Sequence, residues 1–385
     1  MRSLLMLLVV VLVSCTGNEE KGLSKKGFSQ KQLEKGISLN IPGENFEKIK
    51  TKREKALAIN HHFKSKADYV KGSVTCDGIS VDVKVRLKGD EVDHLSSEHW
   101  SYKLKAKKNL GFGQKKLVIQ SPHTKQYLLE FLFHQLCKQE GIVALNYLFL
   151  PVTLNDTVVS TYAMASVVGN QSLKQAGREV GPILKFNERK YWELLVAGKK
   201  NVDSLYVLSA PIKACNGKWS KKHKSIYDES VLKLQGYQDG NLKPQEVFDY
   251  DLFARYVAVS ELLGSSHNLR WLNLRLYFHP QTKKFEPIAF DCYDGADPRN
   301  EIIWYNEAKR FEYFLHPLLD DLQFQKQVEA YLKIYCTQDF VKNVFSENHA
   351  ELSKYIELIR RDKSNYVLSR NQMLKRAKHI LSTLK

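Results

Sequence analysis

The run Ile79–Lys88 constrains this chain more than any other stretch. Val81, Val83, Val85 and Leu87 alternate strictly with Asp82, Lys84, Arg86 and Lys88. Successive strand residues face opposite sides, so the pattern demands a strand with one buried and one charged face. Neighbours for it are close in sequence. Tyr69–Cys76 is a second β-rich run, and the turn Cys76-Asp77-Gly78 joins the two as a hairpin. Trp100–Lys105 alternates again through Trp100, Tyr102 and Leu104, and Lys116–Gln120 adds a short strand. Tyr147–Leu154 and Thr157–Ser166 are separated by Asn155-Asp156, the signal of a tight hairpin.

Helical spacing occupies the rest. Residues 45–68 carry it with many charges. Gln126–Glu140 shows a wide apolar face of Tyr127, Leu128, Phe131, Leu132 and Leu136, with Gly141 placed to cap it. Beyond residue 188 the chain reads as mostly helical: Pro244–Leu263 is periodic and stops at Gly264, and residues 307–385 read as several amphipathic helices. One late hairpin interrupts them, Leu272–Phe278 with Lys284–Asp291, turned by His279-Pro280-Gln281-Thr282. The expected fold class is α+β, with a β-rich N-terminal lobe over about 38–187 and a mainly helical C-terminal lobe over about 188–385 that holds this hairpin.

The first residues set an expected address. Arg2 precedes a ten-residue apolar run, Leu4 to Val13. A spanning helix needs about 20 such residues, so the run matches a secretory signal over 1–14. It ends in Leu12-Val13-Ser14-Cys15, which resembles the lipobox of bacterial lipoproteins. Lipid on Cys15 would anchor the protein to a membrane without a spanning helix. The expected localisation is the bacterial cell envelope, lipid-anchored in the outer membrane. Residues 15–37, rich in Gly, Ser, Lys and Glu, read as the lipidated Cys and a flexible tether.

Bulk properties narrow the partners. The hydrophobic fraction of 43%, with 19 Tyr and 18 Phe, is that of a globular core. The net charge of +17 points to anionic partners. The lysines are spread along the chain with no aromatic-interleaved basic motif, which disfavours nucleic acid and leaves an envelope protein, a glycan or another anionic ligand. After Cys15 come Cys76, Cys137, Cys215, Cys292 and Cys336. None forms a CxxC pair, which argues against zinc, and their odd number excludes an all-paired disulfide framework.

The late hairpin holds the candidate chemistry. Asn273 opens one strand and Asp291 closes its partner, so the two ends are neighbours in an antiparallel pair. An amide oxygen and a carboxylate meeting there suit Mg²⁺ that also takes phosphate oxygens. Protein kinases use an Asn and an Asp in this relation, and here the second segment is Asp291-Cys292-Tyr293-Asp294-Gly295.

An ordered set of stretches resembles the spore-coat-protein-H-like (CotH) kinase family, in particular its bacterial lipoprotein members. They are Arg86-Leu87-Lys88-Gly89-Asp90 with Asp93-His94; Trp100-Ser101-Tyr102-Lys103-Leu104-Lys105; and Gly113 through Ser121-Pro122. Glu130-Phe131-Leu132-Phe133-His134, Gly181-Pro182-Ile183-Leu184-Lys185-Phe186 and Trp271 to Asp291 follow. The resemblance covers roughly residues 38–300 and implies an atypical protein-kinase-like fold over 38–385, with Mg²⁺ and ATP as ligands. It implies metal-binding roles for Asn273 and Asp291. Lys103 or Lys105 would face the nucleotide phosphates, with Arg86 and Lys88 adding positive charge on the next strand. Trp271 suits either a base-stacking platform or the core.

Two departures bear on activity. Where the family carries an acidic pair, this chain has Ala165 and Ser166. At the catalytic-base position stands Asn268, whose amide has no usable protonation equilibrium. His267 beside it titrates near neutrality and is the substitute candidate. Two functions are therefore expected as alternatives: Mg-dependent phosphoryl transfer from ATP to an envelope acceptor, or a catalytically inactive relative that binds an envelope partner.

Overall fold

The computed structural model describes residues 27–202, 209–293 and 314–384. Seven strands, β1 Ile37–Asn40, β2 Val70–Cys76, β3 Ile79–Leu87, β4 Tyr102–Ala106, β5 Lys116–Gln120, β6 Tyr147–Leu154 and β7 Val158–Ser166, close into a barrel in the order β1-β2-β3-β4-β5-β7-β6. Every pairing is antiparallel except the closing one, where β1 runs parallel to β6 and Ile37 lies beside Val152. Nothing in the sequence pattern announces that closure. The two expected tight turns are present: Asp77 and Gly78 (φ 50° and 76°), and Asn155 and Asp156 (φ 49° and 56°), are left-handed pairs. Such turns match the twist of the strands they join.

The alternation of β3 does what its pattern demands. Val81, Val83, Val85 and Leu87 are buried while Arg86 and Lys88 are only partly covered. The cross-strand row Leu87, Tyr102, Ile119, Met164, Leu148 is buried throughout. The next row, Arg86, Lys103, Val118, Ala165, Tyr147, points to the opposite face. On β6 and β7 that outer face is covered by helices. Phe149 packs against Tyr355 of the helix His349–Asp362 at 5.2 Å, and Tyr355 meets Phe131 of the helix Leu128–Gln139. The Thr161 hydroxyl donates to the Leu358 carbonyl (2.8 Å).

A second sheet extends the expected picture. Strands β8 Ile183–Phe186, β9 Ile212–Ala214, β10 Leu276–Phe278 and β11 Phe285–Pro287 pair in the order β11-β10-β8-β9. The late hairpin is β10–β11, with strands so much shorter than its sequence suggested that Asn273 does not open one and Asp291 does not close the other; they lie outside the paired residues, before β10 and after β11. Strand β9 went unread because three residues give no periodicity. Gly181 leads into β8 where a Cβ would lie 2.5 Å from the Phe278 carbonyl oxygen, so only glycine lets this segment approach β10 so closely. The sheet spans the expected lobe boundary at 187/188.

Three further expectations are revised. Pro244–Leu263 is not one helix. A turn at Pro244–Val247 gives way to extended Phe248, and the Asp249 carboxylate caps a new helix, Tyr250–Leu263, by accepting from Leu252 N–H. The described part of the tether, residues 27–37, is packed rather than free: Phe28 and Leu33 are buried and Ser29 caps a short helix, Gln30–Leu33. Two apolar residues in a polar stretch are too few to read as core. The C-terminal helices Leu322–Tyr335, Gln338–Glu347, His349–Asp362 and Arg370–Thr383 have no core of their own, since their apolar residues join the cluster that fills the barrel. Arg376 ion-pairs at 2.5 Å with buried Glu261.

The signal segment and Cys15 lie outside the described residues. No described helix is long and apolar enough to cross a membrane. The described cysteines are all free.

Candidate anion-binding cleft

A cleft of about 230 Å³ lies between the outer face of the barrel and the late hairpin. Its barrel wall is the charged face of β3 and β4. Arg86 and Lys103 are direct cross-strand partners, and both line the cleft together with Lys88. Like charges directly opposite one another are destabilising, yet no described carboxylate forms an ion pair with any of the three. Arg86 lies over the Tyr69 ring (5.2 Å to the centroid), and its buried Nε has no hydrogen-bond partner. Burial, aided by Arg86, Lys64, Lys116 and Lys185, pulls the Lys103 amine down to about 7. Ala165 is two strands from Lys103 in the same row. At this row and its neighbour Ser166, the resemblance would have placed acids.

Lys88 has a different setting. Its amine lies 3.0 Å from Nε2 of His94, whose Nδ1 lies 2.9 Å from Ser101 Oγ. Burial, then the nearby Lys88 and Lys125, hold the His94 imidazole well below its ordinary value, so it stays neutral. A neutral ring beside an ammonium must accept on Nε2 and carry its proton on Nδ1. Gly89 makes room for that ring: its φ is 97°, and a Cβ there would lie 2.4 Å from His94 Cδ2. The glycine and histidine of the Arg86–His94 stretch therefore form one packing unit.

The hairpin wall carries the expected metal residues. Asn273 and Asp291 both line the cleft. Asn273 Nδ2 donates to the His267 carbonyl (2.9 Å), which leaves its amide oxygen as the remaining polar face. Asp291 Oδ1 is held by Lys125 Nζ at 2.6 Å, and the same amine donates to the Tyr293 carbonyl at 2.5 Å. Burial alone would raise the Asp291 carboxyl, but Lys125, His267 and Lys88 outweigh it and hold it far below the usual carboxylate range. Lys125 comes from the 3₁₀ turn Pro122–Lys125, and the residues after it, Gln126 and Tyr127, both have positive φ (50° and 54°), as does Asp291 (56°). Backbone strain on both sides of one ion pair marks a place that the surrounding structure over-determines. Lys125 was missed in the sequence because a lone Lys after Ser-Pro carries no chemical signal.

His267 also lines the cleft. Its Nδ1 lies 3.1 Å from the Asp291 carbonyl oxygen, an atom that can only accept, so Nδ1 carries a proton and, when the ring is neutral, Nε2 holds the lone pair. Asn268, its neighbour, turns the other way. It is fully buried, accepts from Ser265 Oγ (2.7 Å) and donates to Ser260 Oγ (2.8 Å), and so serves as a crosslink within the core rather than in the cleft. Of the two candidate lysines, Lys103 lines the cleft and Lys105 is an exposed residue beyond it. Trp271 is core, packed edge-on against Phe186 and Tyr191.

The donor set fits Mg²⁺ in a limited way. Among the described residues no group of three or more His, Cys, Asp or Glu could hold a metal ion. The second Asp291 oxygen and the Asn273 amide oxygen would offer two hard donors, and Mg²⁺ commonly takes only one or two protein oxygens when phosphates and water supply the rest. No family model matches the chain, and no curated protein matches it.

Proposed function

We propose that the cleft binds a phosphoryl group and that the protein is an atypical-kinase-like phosphotransferase of the cell envelope, anchored by lipid on Cys15. The observation that carries this reading is the side-by-side placement of Arg86 and Lys103 on the cleft wall without an acidic partner. Two half-buried cations side by side are costly unless an anion joins them, and phosphate oxygens are the natural complement of an Arg–Lys pair. Across the cleft, Asn273 and Asp291 would hold Mg²⁺, which supplies charge neutralisation to a bound phosphate. His267, when neutral with its lone pair on Nε2, would orient or deprotonate an acceptor hydroxyl in place of the missing aspartate. The cleft volume is below the roughly 300–1,000 Å³ usual for drug-sized ligands, so the rest of a nucleotide would lie outside it.

A second reading, a non-catalytic binder of a phosphorylated or acidic envelope partner, is favoured by one observation. Asn268 stands at the base position and is committed to the core. The test is a thermal melt of the full chain with and without millimolar Mg-ATP, and with pyrophosphate. Ligand bound only to the folded state raises the melting temperature. A rise with Mg-ATP that Asn273→Ala abolishes supports the phosphotransferase. A rise with pyrophosphate that is indifferent to Mg²⁺ supports the binder. No rise with either ligand removes both readings.

A further inference from the structure

Lys88 is the third unpaired cation of the barrel wall, and unlike Arg86 and Lys103 it is held in place from behind. The chain Ser121 N–H to Ser101 Oγ (3.3 Å), Ser101 Oγ to His94 Nδ1 (2.9 Å) and His94 Nε2 to Lys88 Nζ (3.0 Å) runs from the start of the 3₁₀ turn to the cleft. Ser101, Ser121 and His94 are all buried. A four-carbon side chain normally has wide rotamer freedom. Here one of its three donors is fixed by a neutral imidazole, and that imidazole is fixed in turn by a buried serine. His62 supports the loop from below, with Nδ1 2.8 Å from the Gly89 carbonyl. The arrangement has no evident use as a stability device, since it aims a charge at a space where no described carboxylate pairs with it.

We propose that Lys88 is a phosphoryl-oxygen ligand of this cleft, aimed by the His94–Ser101 chain, so that His94 is a positioning residue for anion binding. The proposal rests on the reading that the cleft takes a phosphoryl group. It places Lys88 in the same cleft that Lys125 and Asp291 line. Arg86 and Lys103, side by side on β3 and β4, then take other oxygens of the same group.

The experiment is calorimetric titration of the full chain with inorganic pyrophosphate. Binding to wild type is expected. Lys88→Met should weaken it by about ten- to a hundredfold, the usual effect of losing a hydrogen bond to a charged group. Lys84→Met, on the same strand but exposed and outside the cleft, should leave it unchanged. His94→Gln should give a smaller loss in the wild-type background and none in the Lys88→Met background, because it acts only through Lys88. Ser101→Ala serves as a second variant in the same cycle should His94→Gln fail to fold. Wild-type binding with full affinity in Lys88→Met overturns the proposal and leaves the cleft reading intact. Additive losses for His94→Gln and Lys88→Met overturn the positioning role. No binding by wild type removes the cleft reading and the proposal together.

Discussion

The two walls of the cleft handle charge in opposite ways. On the hairpin wall, Asp291 is clamped by Lys125 at 2.6 Å, and Arg275 gives its Nη1 to the carbonyls of Leu272 and Leu274 while its guanidinium sits over Phe290 at 4.2 Å. Each cation there has an internal partner. On the barrel wall, Arg86, Lys88 and Lys103 face the same space and none of them forms an ion pair with a described carboxylate, although Asp291, Asp93 and Glu130 act on Lys88. A buried pair is destabilised when one partner is lost, whereas an uncompensated cluster is destabilised by its own charge. The hairpin wall is therefore built to stand without a ligand, and the barrel wall is built to receive one.

The largest expected effect breaks the self-sufficient wall. Asp291→Asn leaves the Lys125 amine buried without its counter-charge and should cost about 3–5 kcal/mol of stability in urea unfolding. Adding Lys125→Met should recover most of that loss, and a double mutant no more stable than Asp291→Asn would show that the pair is not what holds this wall. For the same reason a lost nucleotide response in an Asp291 variant reports on folding as well as binding, and Asn273 and Arg86 are the cleaner probes. Gly89→Ala comes next. With φ at 97° and the His94 ring in the way of a Cβ, it should cost on the order of 1–3 kcal/mol.

Lys103→Met tests the other wall and should have the opposite sign. It removes a charge that burial and four neighbouring cations disfavour, so the ligand-free protein should gain on the order of 1 kcal/mol, a few degrees of melting temperature. It should lose its melting response to pyrophosphate at the same time. A variant that is less stable and still responds would end the distinction between the walls.

Proton linkage sharpens it further. In the ligand-free protein, Lys103 is lowered to about 7 by burial, Arg86, Lys64, Lys116 and Lys185, and Lys88 is lowered to about 8 by burial and Lys125 against Asp291, Asp93 and Glu130. An anion favours the protonated amines, so binding takes up protons. Pyrophosphate affinity should fall as pH rises from about 6.5 to about 9. For folding alone the sign reverses: the unfolded chain holds the Lys103 proton up to about pH 10.4, so Lys103 adds stability as pH rises from its folded value towards that point. Calorimetry in buffers of different ionisation enthalpy reads the proton uptake directly. The smallest effect belongs to Lys105→Met, which should change stability by no more than about 0.5 kcal/mol and leave binding untouched.

What the sequence disclosed, and what it withheld, follows from range. The strand alternation at Val81–Leu87 and the two left-handed turns are local, and they stand where they were read. Arg86 and Lys103 share the cleft because strand parity is also a local rule, while His267, Asn273 and Asp291 reach it from the segments that flank the short hairpin rather than from its strands. Asn268 was separable from His267 only by knowing that Ser260 and Ser265 were waiting for it in the core. Lys105 shares the parity of Lys103, and only the extent of the cleft along β4 divides them. Lys125 meets Asp291 across 166 positions of chain, and the barrel closure between β1 and β6 is likewise a long-range pairing with no sequence periodicity of its own.

That closure also sets an order of events. β1 emerges first and pairs with β2 nearby, but its parallel partner β6 lies more than about a hundred residues later in the chain, and long-range pairings form slowly because the loop between them must be ordered first. Until β6 arrives, β1 presents a raw hydrogen-bonding edge of the kind that recruits other chains. The protein is therefore most exposed to misassembly while its first strand is made and its sixth is not, and a partner that covers β1 over that interval would raise the yield of folded protein without touching the finished molecule.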